Sequence, residues 1–189
     1  MADHSILEYY EHFLSAAEAD QLFSQLYHEI PWRQDTIQLF GRPHKIPRQQ
    51  HFQGEPGLLY QYSGLVMHAQ PLHPAVGRLK QAIERRCDAR FNCVLLNLYR
   101  DGGDSMGWHS DDEAELGQNP VIASVTLGTP RRFLLRQRED NSLRREILLG
   151  HGSLLLMAGD LQHQWQHSVP KSRKVKSARI NLTFRRISG

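Results

Sequence analysis

The sequence predicts one α+β domain, in which two amphipathic helices precede a β core of the sandwich or jelly-roll kind. Apolar residues recur at helical spacing in two segments of the first half. Beyond residue 91, short strand-like segments follow one another, separated by Gly, Asp and Asn. A chain of 189 residues suits a single domain with a substantial core, so we expect one domain over residues 1–189.

Each predicted helix has a recognisable start. Ser-Ala-Ala-Glu at 15–18 is a capping-box sequence, and Pro31 ends the apolar pattern that follows it. His73-Pro74 opens the second helix, because proline in the first turn loses little by lacking an N–H. Between them, Ile37–Pro43 reads as a strand running into a turn. The predicted core strands are Cys93–Arg100, Val121–Leu127, Arg132–Gln137, Arg145–Leu149, Ser153–Met157 and Ala178–Ile187.

Composition limits the class of protein. No apolar run approaches the length of a membrane span, and the N-terminus lacks a basic region followed by an apolar one. Cys87 and Cys93 lack the spacing of a zinc or redox motif, and we expect free thiols in a reducing compartment. We therefore expect a soluble monomer in the cytoplasm, or in the nucleus of a eukaryote. The net charge of +3 and the pI near 9.0 point mildly to an anionic partner.

His109 and Asp111 are candidate metal ligands. Residues i and i+2 of extended backbone project to the same side, so both side chains can hold one ion. A third ligand must come from another strand, and His151, His163 and His167 could supply it. We favour His167, which follows a strand-like segment. Two histidines and one carboxylate occupy one face of Fe(II) and leave the other face open, which predicts an iron-dependent oxygenase.

The C-terminal strand has one apolar and one polar face. Ile180, Leu182 and Phe184 alternate with two arginines, an amide and a hydroxyl. Two guanidiniums on one face repel each other unless an anion lies between them, and a dicarboxylate such as 2-oxoglutarate would satisfy both. A solvent-exposed strand face is the alternative. The candidate cosubstrate residues are Asn97, Tyr99, Arg179, Asn181, Thr183 and Arg185.

Aromatic residues in the N-terminal third have two interpretations. Phe40 lies beside Gly41 and is flanked by basic residues, so it could be a wedge that enters between bases, or a buried residue at the base of a hairpin. Tyr60 and Tyr62 share one face of a strand, which is typical of a core as well as of a binding site.

The sequence resembles the AlkB-type iron and 2-oxoglutarate dioxygenases, which demethylate alkylated nucleobases. The resemblance runs from about residue 30 to the end. The matching motifs, in the family's order, are Phe-Gly at 40–41, Pro-Arg at 47–48, Tyr-Gln-Tyr-Ser at 60–63, Asn-Leu-Tyr at 97–99, Trp-His-Ser-Asp-Asp-Glu at 108–113, Ile-Ala-Ser-Val at 122–125, His-Gly-Ser-Leu-Leu at 151–155, Trp-Gln-His at 165–167 and Arg-Ile-Asn-Leu-Thr-Phe-Arg at 179–185.

The resemblance implies a double-stranded β-helix (a jelly roll) at about 91–187, with flanking helices and a nucleotide-recognition lid at about 32–70. It implies Fe(II) on His109, Asp111 and His167, and 2-oxoglutarate on the six residues of the polar strand faces. Asp112 matches the position that contacts the flipped base, and Tyr62 the aromatic that stacks on it. The other substrate-binding residues implied are Phe40, Gly41, Arg42, Arg48, Tyr60 and Glu113.

The function implied is DNA repair by direct reversal. O₂ and 2-oxoglutarate would oxidise the N-methyl group of 1-methyladenine or 3-methylcytosine, releasing formaldehyde, succinate and CO₂. The motif at 108–112 resembles the branch that prefers single strands, whereas Phe-Gly and Tyr-Gln-Tyr-Ser resemble the branch that acts on duplexes. Demethylation of RNA and hydroxylation of a protein or lipid are alternatives. A jelly-roll binding module with structural histidines would leave the two-arginine strand unexplained.

Overall fold

A computed structural model describes residues 4–39, 41–62 and 64–188, except for the side chains of Leu39 and Tyr62. The helices are Ala16–Glu29 (α1), Pro74–Cys87 (α2) and Leu161–Gln164 (α3), with a 3₁₀ turn at Ala114–Leu116. The strands are Ile6–Tyr10 (β1), Thr36–Leu39 (β2), Arg42–Lys45 (β3), Gln49–Gly54 (β4), Leu59–Tyr62 (β5), Leu65–His68 (β6), Cys93–Tyr99 (β7), Met106–His109 (β8), Ile122–Gly128 (β9), Arg131–Gln137 (β10), Arg144–Leu149 (β11), Ser153–Ala158 (β12), Trp165–Val169 (β13) and Arg179–Arg185 (β14).

Two antiparallel sheets form the core. The larger has the order β1-β12-β9-β14-β7-β4, and the smaller has the order β11-β10-β13-β8. Apolar side chains from both sheets, including Ile122, Phe133, Leu155 and Trp165, fill the space between them. This arrangement is the predicted jelly roll. From β7 to β14 the chain passes repeatedly from one sheet to the other, and only β10 and β11 follow each other within the same sheet.

The larger sheet is apolar on its other face, where both helices pack. Val94 and Leu96 of β7, with Leu182 of β14, lie in one buried cluster with Leu26 of α1 and Val76 of α2. Intervening residues of the same strands point into the jelly roll, because successive side chains of a strand face opposite sides. Burial of each large aliphatic side chain contributes about 1.5–3 kcal/mol. This packing fixes which face of β7 and β14 points inward.

Both predicted helices are confirmed. The Ser15 hydroxyl accepts the Glu18 N–H, and the Glu18 carboxylate accepts the Ser15 N–H, which completes the capping box. α2 starts at Pro74, and the His73 ring accepts the Ala75 N–H. Among the described residues, no helix is long and apolar enough to cross a membrane.

The segment predicted as a lid contains two ribbons and one strand of the larger sheet. β2 pairs with β3, β5 pairs with β6, and β4 lies at the edge of the larger sheet beside β7. Phe52 and Tyr60 pack with Leu95 and Leu116 in a third apolar cluster, which attaches the β5–β6 ribbon to the core. The limits assigned to the lid, the core and the single domain stay predictions.

All six predicted core strands are present, with ends displaced by at most two residues. The expectation that helices precede the β core is wrong in one respect, since β1 comes before α1 and pairs with β12. Sequence reasoning also missed β4 and β8 and placed no separate element at α3. β8 is only four residues long and includes Gly107, and a segment that short shows little periodicity.

Candidate active site

The three predicted metal ligands converge. His109 at the end of β8 is the cross-strand partner of His167 on β13, and Asp111 follows two residues later. One ligand atom from each residue lies within 4.8 Å of the other two. The alternatives lie elsewhere: His151 Nε2 is 3.1 Å from Asp20, and His163 Nε2 accepts the N–H of a loop residue at 3.4 Å. Of the three histidines considered, His167 is the one that the structure brings together with His109 and Asp111.

Neighbouring groups fix the orientation of these ligands. His109 Nδ1 is 2.9 Å from the Gly107 carbonyl, to which it donates as the N–H tautomer, so Nε2 is left for the ion. The ring of Phe133 stacks on His167 with centroids 5.1 Å apart. The backbone N–H of Asp111 donates to Gln162 Oε1 at 2.9 Å. The ligand set is therefore held in place by the protein itself.

Burial prepares both histidines for metal binding. Burial of His167, together with the nearby His109, lowers the pKa of its ring to about 3. Burial likewise lowers the pKa of His109. Neutral imidazoles are the form that binds a metal, so no proton has to leave these rings at neutral pH.

Asp111 forms a buried ion pair with Arg185. Burial alone would raise the pKa of the carboxyl, but the guanidinium of Arg185 and the two histidines lower it to about 2. Arg185 Nη2 donates to Asp111 Oδ1 at 2.6 Å, and Oδ2 faces His167 Nε2 at 3.8 Å. One carboxylate oxygen thus binds the arginine, and the other is free to bind the ion. The position of Arg185 on the strand suggested that it would face an anionic ligand, but the structure pairs it with Asp111 instead.

The polar faces of β7 and β14 line a narrow inner cavity that reaches the metal ligands. The six candidate cosubstrate residues all contribute to its wall. Arg179 is 1% exposed, and its Nη2 donates to Thr126 Oγ1 at 2.9 Å. Its Nε and Nη1 have no hydrogen-bond partner among the described residues. Because buried N–H donors are costly to leave unpaired, these two groups mark a position for a carboxylate.

A wider outer cavity of about 880 Å³ opens on the other side of the metal ligands. Tyr60 and Glu113 line it, and the Tyr60 hydroxyl donates to Glu113 Oε1 at 2.9 Å. Burial and the neighbouring Asp111 raise the pKa of Glu113. Arg48 also lines this cavity, but its Nε donates to Asn97 Oδ1 at 2.9 Å, so it joins the two cavities.

Three of the other predicted substrate residues, Gly41, Arg42 and Asp112, lie away from this cavity. Asp112 points outward to an ion pair with Arg138, because Asp111 and Glu113 on either side point inward. Gly41 and Arg42 are exposed at the turn of the β2–β3 ribbon. Phe40 and the side chain of Tyr62 lie outside the described residues. The roles assigned to these five residues stay predictions.

Sequence reasoning missed several residues that support the site. Gln162 holds the Asp111 backbone, and Arg138 donates to Ser110 Oγ at 2.7 Å. No local pattern indicates either contact, since both join distant segments. Ser124 and Thr126 hydrogen-bond to the polar face of β14, and their alternation with the apolar residues of β9 could have indicated them.

The arrangement fits the cofactors that its chemistry suggests. The two histidines and the aspartate present a facial set of ligands typical of Fe(II) sites, with Asp111 Oδ2 available. The unpaired N–H groups of Arg179, at the far end of the inner cavity, fit the second carboxylate of a 2-oxo diacid.

Comparisons with known proteins agree with this geometry. The model of the 2OG-Fe(II) oxygenase superfamily matches residues 7–185. Alpha-ketoglutarate-dependent dioxygenase alkB homolog 3 of Bos taurus is 42% identical over 93% of this chain and 64% of its own length. DNA oxidative demethylase ALKBH2 is 39% identical in Homo sapiens and 38% in Mus musculus, over 90% of this chain and 69% and 76% of theirs. The chain thus spans less than two thirds of the bovine relative.

A solved structure supports the fold. The structure titled "The structure of OsALKBH1" superposes with a TM-score of 0.62 over 98% of this chain and 99% of the other, at 19% identity. At that identity the likeness concerns the fold alone. The match to the family model over nearly the whole chain and the similarity to the two mammalian ALKBH2 proteins place this chain in the 2OG-Fe(II) oxygenase superfamily and, within it, in the AlkB family.

Proposed function

We propose that this protein repairs alkylated DNA by oxidative demethylation, with Fe(II), 2-oxoglutarate and O₂. Its substrates would be N-methylated bases such as 1-methyladenine and 3-methylcytosine, and the products formaldehyde, succinate and CO₂. The observation that carries the proposal is the position of the metal ligands. His109 and Asp111 line both the inner and the outer cavity. A metal ion held by them would therefore be accessible to a cosubstrate in the inner cavity and to a substrate in the outer cavity.

The inner cavity supports 2-oxoglutarate as cosubstrate. Its 2-oxo acid end would lie at the metal ligands, and its distal carboxylate would accept the unpaired N–H groups of Arg179. Burial lowers the pKa of Arg179 to about 10, which still leaves the guanidinium charged at neutral pH. The hydroxyl of Thr183 and the amide of Asn181 line the path between the two ends.

The outer cavity supports a flipped base as substrate. A base inside a duplex cannot reach a buried metal, so it must leave the stack, and lesions that pair poorly do so most easily. Ile37, Ile46 and Pro47 offer an apolar wall for the base, while Glu113 faces its polar edge. The bound iron would supply the oxidation, and these residues would orient the methyl group and exclude water.

Exposed basic residues support nucleic acid as the partner. Lys171, Arg173, Lys174 and Lys176 are all exposed on the loop between β13 and β14. Phosphate contacts of this kind predict binding that weakens as salt rises. Since one chain supplies every residue of the candidate site, we propose that the protein acts as a monomer, in a compartment that contains DNA.

The test is turnover of methylated oligonucleotides. Fe(II), 2-oxoglutarate and single-stranded DNA containing 1-methyladenine or 3-methylcytosine should yield formaldehyde and succinate in equal amounts. His167→Ala should abolish both, whereas the matched variant His163→Ala, outside the ligand cluster, should retain them. Comparing the turnover of single-stranded DNA, duplex DNA and RNA of the same sequence ranks these three substrates. Faster turnover of RNA would make the protein an RNA demethylase, and absence of turnover on all three would refute the proposal.

A further inference from the structure

Two buried arginines lie against the ring of Tyr99 at the far end of the inner cavity. The guanidinium carbons of Arg131 and Arg179 are 5.5 and 5.1 Å from the ring centroid. Arg131 is 2% exposed and begins β10, on the sheet opposite β14. It does not line the inner cavity. Arg131 is therefore close to the cosubstrate residues without facing the cosubstrate.

The hydrogen bonds of Arg131 go to neutral backbone groups and not to carboxylates. Its two Nη groups donate to the backbone carbonyls of Asp101, Asp104 and Pro170, at 2.7–3.1 Å. The carboxylate of Asp104 is paired with Arg100 at 2.8 Å. Among the described residues, no carboxylate oxygen lies within 4.0 Å of Arg131 or of Arg179. Each of the two cations is thus buried beside the ring without a carboxylate in ion-pair range, although the more distant carboxylates of Asp104 and Asp101 interact electrostatically with Arg131.

Only one of these cations can bind a ligand directly. Arg179 has two unpaired N–H groups and lines the cavity, whereas Arg131 lies behind the ring of Tyr99. Burial lowers the pKa of Arg179, and the like charge of Arg131 lowers it further, which indicates that the two charges interact. An anion bound to Arg179 would stabilise both positive charges.

The positions of the two arginines on β14 indicate which carboxylate of the cosubstrate would bind to Arg179. Arg185 pairs with the metal ligand Asp111, whereas Arg179 lies six residues earlier on β14 and lines the part of the inner cavity beside Tyr99. The 2-oxo acid end must lie at the metal, so Arg179 receives the distal carboxylate.

We propose that Arg131 is a specificity residue for the cosubstrate. Its charge, held beside Tyr99 by three backbone carbonyls, favours a ligand with a distal carboxylate at Arg179, although Arg131 does not touch that ligand. This proposal rests on the proposed function, because it takes 2-oxoglutarate as the ligand of the inner cavity.

The test compares two 2-oxo acids that chelate a metal in the same way. 2-Oxoglutarate has a distal carboxylate and 2-oxobutyrate has none. Binding of each to the Mn(II)-loaded protein is measured by calorimetry for the wild type and for Arg131→Met. Loss of the charge should weaken 2-oxoglutarate on the order of tenfold, by Coulomb's law at an effective dielectric constant of about 20, and leave 2-oxobutyrate unchanged. Unchanged binding of 2-oxoglutarate, or equal weakening of both acids, would overturn the proposal.

Two further variants separate charge from loop geometry. Arg131→Lys keeps the charge and should retain the preference for 2-oxoglutarate within about threefold. A larger loss in a lysine variant with an unchanged melting temperature contradicts the proposal. Arg100→Met removes the partner of Asp104 on the same loop, but the Arg100 side chain is 46% exposed. If this control also selectively weakened 2-oxoglutarate, loop geometry would be the cause.

A second neutral variant is needed in case Arg131→Met does not fold. Should Arg131→Met not fold, Arg131→Gln retains an N–H donor for the carbonyls, lacks the charge, and takes its place in the same comparison. If neither neutral variant folds, the result for Arg131→Lys decides. Wild-type protein that binds no 2-oxoglutarate would refute the proposed function itself. Wild-type binding with an unaltered preference in the neutral variants would refute only the role of Arg131.

Discussion

Replacing Arg185 by methionine should make the stability of the protein depend on metal. Arg185 and Asp111 are 6% and 2% exposed, and Nη2 to Oδ1 is 2.6 Å. Removing one partner of such a buried pair leaves an uncompensated charge, at a cost of about 3–5 kcal/mol. For a chain of this size that corresponds to a fall in the melting temperature of roughly 6–20 °C. A divalent ion on Asp111 would replace the lost positive charge, so metal should restore much of this loss.

The assay is thermal unfolding of the wild type and of Arg185→Met, each with EDTA and with saturating Mn(II). The stabilisation by Mn(II) should be larger in the variant. Arg132→Met is the matched control, since its pair with Glu146 is about half exposed on both sides and such exposed pairs contribute little to stability. Equal stabilisation of wild type and Arg185→Met by Mn(II) would refute the reasoning, as would a metal-free variant as stable as the wild type.

Three further outcomes are expected. Asp111→Ala should abolish turnover while oligonucleotide affinity, measured by fluorescence anisotropy, stays within about threefold, since exposed basic residues elsewhere contact the phosphates. Gly102→Ala should lower the melting temperature, because an added Cβ would lie 1.8 Å from the Ser172 carbonyl oxygen. Burial raises the pKa of Glu84, but the hydrogen bonds from the Phe91 N–H and from Lys80 lower it by more. The pKa of Glu84 therefore lies below its ordinary value. A lowered pKa stabilises the fold above the unfolded pKa of about 4.3, so the advantage of wild type over Glu84→Gln in urea titrations should persist at neutral pH and disappear as pH falls below about 4.

Much of the fold and the metal ligands could be predicted because they follow from local periodicity. The capping box at Ser15 and the proline at the start of α2 fix the beginnings of both helices. The two-residue spacing of His109 and Asp111 predicts a shared direction in extended backbone, and the structure has it. The pattern of β14 separates its apolar from its polar face without reference to any other strand.

What could not be predicted depends on contacts between distant segments. The two arginines of β14 are equivalent in the sequence pattern, yet Arg185 is neutralised by Asp111, 74 residues away, while Arg179 keeps unpaired N–H groups. No sequence pattern indicates that Arg131 lies near the site, because its three hydrogen-bond acceptors are backbone carbonyls of two loops. Asp112, which is predicted to contact the base, pairs with Arg138 from a segment 26 residues away, and no local pattern indicates that pair.

The core and the site depend on the same strands, which explains why the polar residues can be buried at all. In β14, Ile180, Leu182 and Phe184 are fully buried against the helices, and this fixes the register. A shift of one residue would turn Arg179 and Arg185 into the apolar layer and expel three large apolar side chains from it. Two arginines in that layer would lack any counter-ion, a cost of several kcal/mol per charge. α1 and α2 therefore hold the two arginines of β14 toward the metal ligands, although neither of these helices contributes a residue to the lining of the two cavities.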